Sequence, residues 1–139
     1  MKTLIIAFFV LFSVTTYAQS PYEKGMIQGL ALWKSGKTTE AAAQFERIAQ
    51  AEPENWIALY YQALIGTTAA FATSDQEEKL KLIENTKIIL NNSSQDRNSE
   101  WLTLKAMNLV AELTTDPMTK SQTLAPTIYA LYEKAIQLE

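Results

Sequence analysis

With 139 residues, a formal net charge of −3 and neither histidine nor cysteine, the chain is bounded to one modest domain and a short list of chemistries. Ser–His and Cys–His nucleophile pairs, disulfides and the common transition-metal sites cannot be assembled from it alone. The acidic balance, without clustered Lys and Arg, sets nucleic acid aside.

Residues 1–18 open on Lys2, carry an unbroken apolar run from Leu4 to Phe12 and end on the small residues Thr16 and Ala18. These are the three zones of a secretory signal peptide, cut ahead of Gln19. The apolar run is shorter than the ~20 residues a membrane-spanning helix takes, so no stable membrane insertion is expected after the cut. Cleavage leaves 139 − 18 = 121 residues and, with Lys2 gone, a balance of 11 − 15 = −4. The product is expected to be exported, periplasmic or secreted, and without cysteine its stability must come from packing.

A first helix is read from Tyr22, Met26, Leu30 and Trp33, spaced to draw one apolar stripe. Ser35-Gly36-Lys37 ends it. The second begins at Thr38 as N-cap and turns Ala41, Ala42, Phe45, Ile48 and Ala49 inward, with Glu40, Gln44, Glu46, Arg47 and Gln50 toward water. Glu52-Pro53 stops it, and Pro53 suits the first turn of the next helix. That third helix, over 54–72, is apolar almost all round and should be sandwiched between neighbours.

Ser74-Asp75-Gln76-Glu77 reads as a capping box opening a fourth helix, which runs to Leu90 and breaks in the polar cluster Asn91–Asp96. A fifth helix spans 98–113 and repeats the aromatic opening of the third: Trp101-Leu102-Thr103-Leu104 beside Trp56-Ile57-Ala58-Leu59. Asp116 and Pro117 cap and open a sixth, carrying Leu124, Ile128, Leu131, Tyr132, Ala135 and Leu138, with Pro126 expected to kink or restart it. No sustained β-branched alternation competes. The reading is all-α, as three helical pairs.

Gly29, Gly36, Ala41, Phe45 and Pro53 stand where close approach, turn, small–large pairing and helix start are wanted in a helical hairpin. This spacing resembles the tetratricopeptide repeat, a family of helix-turn-helix units stacked into a curved solenoid. Tyr132 and Ala135 look like the large and small residues of a later second helix. The units are long, however: the tryptophans lie 101 − 56 = 45 apart, against ~34 residues in the family. The end at Glu139 leaves a seam around Ile128, Tyr132 and Ile136 without a cover, so the expectation is a truncated repeat domain over 19–139 or self-association through the last helix.

The resemblance implies binding of a protein or peptide partner rather than catalysis, with no cofactor. By that resemblance the first helices of successive units line a groove, and Lys34, Tyr61, Gln62, Lys105 and Asn108 become its candidate contacts. The rival expectation is a carboxylate-dependent hydrolase or sugar-binding accessory of the cell envelope, which wants two acids in one cleft. The acids fall among polar helix positions, where a solvated face is the plainer reading. Gly25 and Gly29 match the small-xxx-small spacing of membrane helices, yet lie in a polar setting that favours close packing of two soluble helices.

Overall fold

The computed structural model describes residues 20–139, so the expected export segment lies outside the described residues. Among the described residues there are six helices and no strand: α1 (Pro21–Lys34), α2 (Thr38–Ala51), α3 (Trp56–Ala72), α4 (Gln76–Asn92), α5 (Ser99–Leu113) and α6 (Pro117–Ile136). The fold is all-α. Each helix packs on the next in sequence, and α3 also packs on α5.

The helix starts follow from side chains that take up free amides. Ser20 and Glu23 form a reciprocal capping box, with bonds of 3.0 and 3.1 Å, ahead of Pro21. Asn55, Asn98 and Asp116 each accept from a first-turn amide of α3, α5 and α6. Asp116 and Pro117 take the cap and first-turn places read from the sequence.

Three starts differ from the sequence reading. Gly36, at φ 80°, ends α1 with Gly36 N–H donating to Trp33 O and Lys37 N–H to Leu32 O. This doubly bonded left-handed turn reverses the chain so tightly that Lys37 becomes the cap residue and Thr38 is already helical. Pro53 does not enter α3, because Asn55 N–H closes a turn onto Glu52 O and α3 begins beyond it. The capping box expected at Ser74 and Glu77 falls elsewhere: Asp75 accepts from Glu78 N–H at 3.0 Å, while Thr73 Oγ1 donates to the Glu78 carboxylate at 2.8 Å.

The α1–α2 pair closes around two glycines. A Cβ on Gly29 would lie 2.8 Å from the Phe45 ring, and one on Gly25 3.1 Å from Ile48 Cδ1. Gly25 and Gly29 therefore face α2, and the small-xxx-small spacing serves soluble helix packing. With that side turned inward, Leu30 moves to the edge and stays 38 % exposed. The same closeness buries Gln44, which the sequence pattern places in water. Its Nε2 donates to Gly25 O at 3.4 Å, and its Oε1 accepts from Arg47.

Helix α3 is held between α2, α4 and α5, which accounts for its lack of a polar face. Phe45, Ala58 and Ile65 join the core of the first pair, and Ala63 joins Leu90, Trp101 and Leu104 in the next. Trp101 Nε1 donates to Leu90 O at 3.2 Å in the interior, satisfying a carbonyl in the last turn of α4 that no helix amide reaches. At the other close approach, a Cβ on Gly66 would overlap Thr86 Oγ1.

Helix α6 passes through Pro126 without restarting. The Gln122 carbonyl loses its intrahelical donor there, but Gln122 and Pro126 are both exposed, so water can take the donor's place. Ile128 is covered against α5 and Tyr132 half-covered, so of the expected seam Ile136 stands out in solvent, together with Tyr129. Leu138, expected on the inner stripe, is exposed beyond the helix end.

Ion pairs tie the last three helices together. Lys87 Nζ lies 3.0 Å from Glu84 Oε1 and 2.8 Å from Glu112 Oε2, and Lys120 Nζ lies 3.8 Å from Glu112 Oε1. Burial by itself would lower the Lys87 pKa. The hydrogen bonds and charges of Glu112 and Glu84 outweigh it and hold the ammonium above its ordinary value.

Candidate functional site

Helices α1, α3 and α5 carry a run of aromatic rings that touch in succession. Trp33 meets Tyr61 edge-on at 6.4 Å, Tyr61 meets Tyr60 at 5.7 Å, Tyr60 meets Trp56 at 5.7 Å and Trp56 meets Trp101 at 6.4 Å. Tyr61 also stacks on Phe45 at 5.2 Å. The run is anchored in the core at Phe45 and Trp101, while Trp33, Tyr61, Tyr60 and Trp56 keep part of their surface in solvent. Edge-to-face contacts of this kind stiffen the rings relative to one another. Burial, then the charge of Glu100, raises the Tyr60 pKa, so its phenol stays neutral at neutral pH.

Beside the end of this run lies a cleft of about 760 Å³. Its walls come from the start of α2 and the inner side of α4, its floor from α3. Trp33, Ala42, Ile65, Ala69, Leu82 and Ile89 give it apolar surface, and Gln62, Thr68, Thr73, Asn85 and Thr86 supply neutral hydrogen-bonding groups. Gly66 lies in the floor, where a Cβ would overlap Thr86 Oγ1 from α4. Glu78 is its one carboxylate, and Thr73 already donates to it. Apart from Glu78 the cleft thus presents uncharged donors and acceptors among apolar side chains, a mixture that suits orientation of a bound group by shape and a few hydrogen bonds.

The five candidate contacts are not all brought together. Gln62 lines the cleft, and Tyr61 sits in the aromatic run one residue before it. Lys34 is exposed at the end of α1, next to Trp33. Lys105 is half-buried on α5 and is absent from the cleft lining. Asn108 is 1 % exposed, inside the molecule rather than on an accessible face. The threonines of α2 and α3 and Asn85 and Thr86 of α4 were not singled out by sequence. An isolated Gly66 within an apolar helix was the one available signal, since such a glycine marks a close approach.

Among the described residues no group of three or more carboxylates could hold a metal ion, and no helix is long and apolar enough to cross a membrane. Comparison with known protein families, curated proteins and solved structures finds no match for the chain.

Proposed function

We propose that this chain is an exported, non-catalytic interaction module, a short α-solenoid of tetratricopeptide-like pairs that binds a partner protein or peptide. The observation that carries the reading is the partly exposed aromatic run of Trp33, Tyr61, Tyr60 and Trp56 meeting a largely uncharged cleft at Trp33 and Gln62. Preformed, partly exposed aromatics are the side chains that supply most binding energy at protein interfaces. The main helix contacts, between sequence neighbours and of α3 on α5, fit a stacked repeat. Export rests on the charged, apolar and small-residue zones of residues 1–18. Within the cleft Glu78 is the single carboxylate and is already bonded to Thr73, which favours binding over the hydrolase alternative.

The test is capture from a cell-envelope fraction with the chain from Gln19, followed by titration of the purified partner against the wild type and against Trp33→Ala, Tyr61→Ala and Gln62→Ala. Each aromatic truncation is expected to weaken binding roughly tenfold or more, and Gln62→Ala by less. Equal affinity across all four proteins would remove the surface from consideration. Loss of a measurable turnover on Glu78→Gln would favour the enzyme instead.

A further inference from the structure

Among the described residues, two uncharged buried side-chain atoms have no protein partner: Thr67 Oγ1 on α3 and Asn108 Nδ2 on α5, in residues 0 % and 1 % exposed. Their places in the fold relate them. Ala63 shares an apolar cluster with Trp101 and Leu104, and Ala70 shares the next with Ala111. The offsets 104 − 63 and 111 − 70 are both 41, and 108 − 67 gives the same 41. Because α3 and α5 pack on each other, Thr67 and Asn108 fall in one layer, between the two apolar clusters.

A hydroxyl and an amide sealed in such a layer forfeit their hydration without return unless something bonds to both. Neither is charged, so neither favours an ion. A molecule that both donates and accepts can bridge a hydroxyl and an amide N–H at one level of the two helices, and the second lone pair of a helix carbonyl can supply a third bond. We infer that the α3–α5 seam is a binding site for one buried water molecule held between Thr67 and Asn108. Buried waters with about three such partners are integral parts of folded proteins. The bridge fixes the register of α3 against α5, and with it the placement of the last helical pair on the middle one. Neither Thr67 nor Asn108 lines the cleft, so the bridge does not depend on whether a partner binds there.

A double-mutant cycle on the purified protein tests it, with Thr67→Val, Asn108→Leu and the pair compared by their denaturant midpoints. Each single change strands the opposite group and should lower the midpoint, while the pair, leaving no polar atom in the layer, should recover most of the loss. Additive changes of either sign overturn the bridge, and two singles that each raise the midpoint show a dry seam. A high-resolution crystal structure of the unaltered protein supplies a readout that no folding defect can confound. One solvent peak within hydrogen-bond reach of both atoms is expected. A direct Thr67–Asn108 bond, or an interior without solvent, overturns the proposal.

Discussion

The first and second hairpins both close their helices at a glycine, but against different partners. Gly29 receives the ring of Phe45, which is fully buried and also stacks on Tyr61. Gly66 receives Thr86, a small side chain whose hydroxyl lies over the glycine at the floor of a cleft. The same backbone device therefore gives a filled core in one pair and an open, largely uncharged cleft in the other. What differs is the volume of the side chain presented across the contact, because a large ring fills the space that a threonine leaves for solvent.

The contrast breaks most visibly at Phe45. Phe45→Ala should cost about 3–5 kcal/mol in urea unfolding, through lost burial and an unfilled cavity, whereas Thr86→Ala should cost no more than about 1 kcal/mol. Comparable losses would mean that the two hairpins are packed alike. Next come the glycines: Gly29→Ala and Gly66→Ala should each cost roughly 1–3 kcal/mol by overpacking. Adding Thr86→Ala should return most of the Gly66→Ala loss, since the obstructing atom is Thr86 Oγ1. No such relief is open to Gly29, whose neighbour is a ring anchored on both sides.

Charge separates the ends of the molecule more gently. Lys37 and Glu40, 3.9 Å apart with side chains 57 % and 61 % exposed, form a pair of a kind that contributes little. Lys87 and Glu112 have side chains 29 % and 16 % exposed, and Lys87→Met should cost about 1–2 kcal/mol at neutral pH. Because the folded Lys87 pKa is raised above 10.5, its contribution is whole below that value and is lost as pH rises through the folded value. Wild type should therefore lose stability more steeply than Lys87→Met in alkali. Tyr22 and Tyr60, also raised by burial, resist ionisation in the fold and add the same alkaline loss to both proteins. The smallest effect expected is at the turn itself. Gly36→Ala, at φ 80° with open space around it, should cost about 1 kcal/mol from backbone strain alone, measured as a shift in thermal midpoint.

Part of the candidate surface was legible in the chain and part was not. Tyr61 and Gln62, candidates by the family resemblance, do lie in the aromatic run and the cleft, whereas Trp33, which joins the two, was read only as part of the apolar stripe of the first helix. Asn108 was read on an accessible face but lies inside, since a helix phase error of one residue turns a side chain through about 100°. Gln44 shows the same sensitivity. It sits among Glu40, Glu46 and Arg47 in a polar pattern, yet is drawn inward because α1 offers no Cβ at Gly25 to hold it off. The cleft was invisible because its walls, Thr38 to Ala42 and Glu78 to Ile89, belong to different helices and meet only over α3.

Sequence alone determined the six helices, their approximate extents and the close approach at Gly29, because turns, caps and 3.6-residue spacing are properties of neighbouring residues. The tertiary structure decided which polar side chains were buried, where the cleft opened and which side of α6 stayed bare. Those outcomes depend on how far each helix is rotated against the next, and that angle is set by volumes meeting across the interface rather than by any one segment of the chain.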